Sequence, residues 1–123
     1  MAGFAGSELQ LHEMSLADGV LKVIEDNAKA NHFSRVKTVW LEIGALAGVE
    51  IEAMRFCFGA VMKGTLADGA RLEIISPEGQ GLCLSCEKTV TIRQRYDPCP
   101  ICGGYPVEPT GGMEMRVKEL EVE

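Results

Sequence analysis

Two pairs of cysteines, Cys83-Leu-Ser-Cys86 and Cys99-Pro-Ile-Cys102, carry the strongest chemical signal in the chain. Two residues between the members of a pair let both thiolates of one turn point at a single ion, at about 2.3 Å for zinc. The twelve residues between the pairs, "EKTVTIRQRYDP", are long enough for a short β-hairpin that brings the second turn back to the first. Gly103 and Gly104 follow the second pair, where a left-handed or closely approached backbone is commonly needed. Four thiolates make a closed tetrahedron with no open position, so such an ion is structural. Disulfides would require an oxidising compartment, and nothing in the sequence indicates one. A thioredoxin-type pair needs a strand–helix context that is absent here. An iron–sulfur cluster shares the ligand type, but paired CxxC turns at this spacing favour zinc. Lys88, Arg93 and Arg95 are too sparse around the module to make it a phosphate-backbone surface.

A weaker signal lies in "LQLHEMS", where His12 and Glu13 stand side by side. On their own these residues describe an ordinary helix start, with a carboxylate at the positive end of the helix dipole and a solvated imidazole. His32 reads as a polar residue in the loop after that helix, and Cys57 as a small buried hydrophobe on an apolar stripe. No open-site constellation such as HExxH is present, so no catalysis is expected.

The elements that must position these groups follow from periodicity. Residues 1–10 mix Gly, Ala and Ser without a usable period and read as a tail or extension. A helix is expected from Ser15, with Leu16, Val20, Val23, Ile24 and Ala28 on its apolar face and Asp18, Lys22, Glu25, Asp26 and Lys29 outward. "VKTVWLEIG" alternates as a strand, and a turn from Gly44 to Gly48 leads into a second helix from Glu50 to Met62. Its stripe is Ile51, Met54, Cys57, Phe58, Val61 and Met62. "ARLEIIS" is a second strand, stopped by Pro77 and Gly79. From residue 79 large aliphatics become scarce and turn residues common, so the cysteine module cannot rely on an apolar core of its own. "MEMRVKELEVE" returns to strand character, but Met115 and Val117 differ in parity from Leu120 and Val122. A break near Lys118 or Glu119 is expected there.

These elements give an α+β fold: a small mixed three-stranded sheet with two helices, plus an inserted four-cysteine zinc-ribbon module. The expected division is an extension at 1–11, an α+β domain at 12–78 with 112–123, and the ribbon at 79–111. The chain has 123 residues and a net charge of −6, which argues against a nucleic-acid footprint. No apolar run approaches the ~20 residues needed to span a bilayer, and the N-terminus lacks the pattern of a secretory signal. An intracellular, cytoplasmic protein is the default expectation.

Taken together, "HEMSLADGVLKVIE", "VWLEIGALAGVE", the two CxxC turns with "CPICGG", and "GGMEMRVKELEVE" resemble the HypA/HybF family, the nickel metallochaperones of nickel–iron hydrogenase maturation. The resemblance implies nickel, as transported Ni(2+), bound at the N-terminal His12-Glu13 through the imidazole, main-chain nitrogens and a free α-amine. It implies structural Zn(2+) on Cys83, Cys86, Cys99 and Cys102. It further implies delivery with a HypB-type GTPase to the precursor of the hydrogenase large subunit, and in some members to urease. Glu50 corresponds to a carboxylate after the "GALAGV" turn and is a candidate nickel or partner contact. The family begins Met-His-Glu, whereas Leu11 precedes His12 here, so the chain's amine is not adjacent to the imidazole. The competing reading is a zinc-ribbon module that docks on protein or nucleic acid and carries no exchangeable metal.

Overall fold

The computed structural model describes the backbone of residues 4–123 and the side chains from His12 onward. The elements run α1 (Phe4–Asn31), β1 (Val36–Ile43), α2 (Ile51–Met62), β2 (Arg71–Ile75), β3 (Gly79–Cys83), β4 (Thr89–Ile92), β5 (Val107–Gly111) and β6 (Met115–Val122). They build two three-stranded sheets, ordered β2-β1-β6 and β4-β3-β5.

Helix α1 starts at Phe4, well before Ser15, so the expected helix start at Ser15 is corrected. Residues 1–3 lie outside the described residues. The reason is compositional: "FAGSELQLHEM" contains good helix formers and no Pro, so nothing stops the helix before Ser15. Ala17, Val20 and Ile24 form its buried row, as the periodicity required. Val23 lies on the flank of that row and is 41% exposed. Past Asn31, His32 takes a left-handed conformation (φ 57°) as the helix ends.

In β1 the side chains of Val36, Val39, Leu41 and Ile43 are buried. Thr38 is also buried, and its hydroxyl donates to Glu121 Oε1 at 2.6 Å. Just past the ends of β1 and β2, Ala45 N donates to Pro77 O, so the two strands run the same way with α2 as the crossover. Strand β6 runs opposite to β1, because Glu123 N bonds to Arg35 O at one end and Gly44 N to Glu114 O at the other. The sheet is therefore mixed. Met115, Val117 and Leu120 are half-buried while Lys118 and Glu119 are both exposed, so the alternation of β6 shifts where the parity of its apolar residues required.

The chain divides into two compact units. One comprises residues up to Trp40 with Val49–Glu73 and Val117–Glu123, and the other Leu41–Gly48 with Ile74–Arg116. In the first, α1 packs against α2, whose Met54, Cys57, Phe58 and Met62 are buried. In the second, β3 pairs antiparallel with both β4 and β5. This unit does have an apolar core: Leu46, Val90, Ile92 and Val107 cluster with Cys83 and Cys99. Leu46 comes from the turn after β1, far away in sequence, so the residues of the cysteine module supply only part of this core. Three backbones meet beneath it. A Cβ on Gly44 would lie 2.1 Å from Gly112 O, and one on Gly79 would lie 2.4 Å from Ile92 O.

Candidate metal centres

The cysteine centre is built from two turns of the same design. Cys83 ends β3, and Glu87 N donates back to Cys83 O at 2.8 Å; Gly103 N donates to Cys99 O at the same distance. Cys83 N reaches Lys88 O and Cys99 N reaches Gly104 O, both at 3.0 Å. The residue after each pair is left-handed, Gly103 at φ 72° as expected and Glu87 at φ 60° without the aid of glycine. The hairpin was expected within the twelve-residue spacer; instead β4 pairs back onto β3, and the first cysteine turn is itself the hairpin connection.

The four sulfurs lie within 4.8 Å of one another. Cys83 and Cys102 are 3.6 Å apart, and Cys86 and Cys99 are 3.8 Å apart. A tetrahedral ion with bonds of about 2.3 Å to sulfur needs edges of about 3.8 Å, so the donors fit such an ion. Main-chain N–H groups stabilise the thiolates: Cys86 N and Cys102 N donate to Cys83 Sγ and Cys99 Sγ, each at 3.5 Å, and Ile101 N donates to Cys99 Sγ at 3.4 Å. The Cys86 N–H is the main reason that the Cys83 thiol is held down to about 6. Cys99 is lowered chiefly by the Cys102 N–H, whereas burial pushes Cys86 up to about 12. None of the cysteines is in a disulfide.

The sequence-derived N-terminal residues play different parts. His12 is 51% exposed, but Glu13 is 0% exposed. Glu13 continues the buried row of α1, one turn before Ala17. Its Oε2 accepts from Glu50 N at 2.7 Å, which ties α1 to the first turn of α2. Its Oε1 is buried without a hydrogen bond, 3.6 Å from His12 Nδ1. The signal for this brace was available in the spacing Glu13, Ala17, Val20, Ile24. Glu50 is the N-cap of α2, its carboxylate accepting from Ala53 N at 2.6 Å and Glu52 N at 3.3 Å. The N–H groups of His12 and Glu13 lie well inside α1, where they are intrahelical donors. His32 is not brought to His12: twenty residues of helix separate them by about 30 Å. Cys57 is buried on α2 as expected, and burial raises its thiol, with Glu13 adding a smaller push. Among the described residues, no helix is long and apolar enough to cross a membrane.

Comparison with known proteins places this arrangement. The family model described as hydrogenase/urease nickel incorporation, metallochaperone, HypA matches residues 11–122. The hydrogenase maturation factor HypA of Azotobacter chroococcum is 58% identical over 113 residues, which are 92% of this chain and the whole of that protein. That of Rhodopseudomonas palustris is 57% identical over the same shares. The solution structure of the Ni metallochaperone HypA from Helicobacter pylori shares the fold, with a TM-score of 0.65 and 24% identity across 89% of this chain and 96% of that one. With the family model and full-length relatives both matching, the chain belongs to the HypA family of nickel-incorporation metallochaperones.

Proposed function

We propose that this protein receives nickel at the His12 end of its first helix and passes it on for hydrogenase maturation, while the cysteine centre holds zinc for structural purposes. The observation that carries the nickel reading is the contrast between neighbours: an imidazole 51% open to solvent beside a carboxylate with no exposure at all. An open imidazole suits an ion that must be taken up and released, and imidazole is a good donor for Ni(II). In this reading Glu13 serves the ion through its neighbour, by anchoring this part of α1 to α2. Glu50 caps α2 and borders the same joint, which makes it a candidate partner contact.

Zinc suits the other centre because four thiolates match its preferred tetrahedron and bind it too tightly for a carrier role. When bound, the ion closes the two cysteine turns of residues 79–111, the zinc-ribbon domain of this reading, into one body. The partners that fit are a HypB-type GTPase and the precursor of a hydrogenase large subunit, in the cytoplasm, where thiols stay reduced. No catalytic step is assigned to the chain. The test is a nickel titration of the zinc-loaded chain beside His12→Ala. The reading expects one nickel site that weakens at least tenfold in the variant, and equal affinity with unchanged zinc content would overturn it.

A further inference from the structure

Exposed apolar side chains recur along the stretch of chain that carries the four cysteines. Leu82, Leu84, Tyr96, Ile101 and Tyr105 are all exposed there, Tyr96 by 87% and Tyr105 by 62%. Single exposed apolar residues are ordinary, but a cluster with a polar rim marks an interaction surface. The two tyrosines border a groove of about 440 Å³ whose lining includes Pro106, Pro109 and Glu108.

The walls of the groove are fixed. Leu84 N donates to Pro106 O, and Ser85 Oγ donates to Tyr105 O, both at 3.1 Å, so the first cysteine turn holds one side. Asp97 holds the Tyr96 turn by accepting from Arg93 N at 3.0 Å and Gln94 N at 3.1 Å. Arg95 Nε is engaged with Leu46 O. A preformed groove needs little reordering when a ligand binds.

Its chemistry narrows the occupant. β5 is an edge of its sheet, but Pro109 lies within it and has no N–H to offer an added strand. Stacked nucleobases would need nearby cations for their phosphates. The groove instead sets two carboxylates, Asp97 and Glu108, against Arg95. A polyproline-type segment meets each requirement. It has no internal hydrogen bonds, so its carbonyls are free to accept from tyrosine hydroxyls, and its rings pack between aromatic walls. We propose that this groove binds an extended, proline-containing segment of a partner protein that ends in a basic residue, with Tyr96 and Tyr105 stacking on the prolines and Glu108 pairing with the cation.

The test uses fluorescence anisotropy on the full, metal-loaded chain. The probes are labelled nine-residue peptides with Pro-x-x-Pro followed by Arg, the same peptides with alanine for proline, and labelled oligothymidylate. Saturable binding of the proline peptides is expected. It should weaken at least tenfold in Tyr96→Ala and in Tyr105→Ala, weaken by a smaller factor in Tyr96→Phe, which keeps the ring and loses the hydroxyl, and weaken with added salt. Tyr96 is almost wholly exposed, so its replacement leaves folding intact; if Tyr105→Ala loses its metal, Tyr96→Ala alone decides. No binding of the proline peptides, equal binding of the alanine peptides, affinity untouched by Tyr96→Ala, or binding of the oligonucleotide instead would each overturn the proposal.

Discussion

Replacing Glu13 tests whether the residue beside the open imidazole is a brace. Glu13 Oε2 accepts from Glu50 N at 2.7 Å, a short bond to a charged acceptor at the first turn of α2. Bonds of this kind are worth about 1.5–3 kcal/mol, and truncation also leaves the N–H unpaired. The partnerless Oε1 works in the other direction, since removing it relieves a desolvation cost. The balance for Glu13→Ala is a loss of about 2 kcal/mol. In urea, with a slope of about 2 kcal/mol/M, the midpoint should fall by about 1 M. Glu13→Gln keeps an acceptor for Glu50 N without the charge and should cost about half as much. Glu50→Ala should cost about 1 kcal/mol through the lost cap, yet leave its own N–H bonded to Glu13. Helical circular dichroism is the readout, since α1 and α2 lie in the same unit. A Glu13→Ala change below about 0.5 kcal/mol, the level of ordinary surface substitutions, would refute the brace.

Two glycines of opposite character give the remaining predictions. Gly44→Ala places a Cβ 2.1 Å from Gly112 O, where only backbone could move. It should cost about 3 kcal/mol and speed metal release from the cysteine centre, measured with a chromophoric chelator. Gly59 lies on the exposed side of α2, and a Cβ there meets nothing within 4 Å. Gly59→Ala should stabilise by about 0.5–1 kcal/mol, seen as a rise of about 3 °C in thermal unfolding.

Much of this was legible in the sequence because it depends on local chemistry. The spacing of the cysteines dictated one four-sulfur cluster, and the alternation in "VKTVWLEIG" dictated a strand with Val39, Leu41 and Ile43 buried on one face. The parity break in "MRVKELEV" marked the shift at Lys118 and Glu119. What escaped was set by distant contacts. Leu46 enters the core of the cysteine unit from a turn 37 residues before Cys83, and no local pattern announces that. The family resemblance sets Glu13 beside His12 at the nickel end, and only its spacing to Ala17, Val20 and Ile24 shows that it also lies on the buried row that meets Glu50. The helix start lies earlier than expected because the upstream residues lack an apolar period yet contain nothing that stops a helix.

The central claim is that one chain holds two metals in two different ways, and metal stoichiometry tests it most directly. The chain is loaded with zinc and then nickel, passed over a mild chelator, and weighed intact by native mass spectrometry beside His12→Ala. The account predicts one zinc that survives the chelator in both proteins, and one nickel that is present before the chelator only in the parent and is removed by it. Nickel that displaces zinc from the cysteines, or nickel bound equally by His12→Ala, would contradict it.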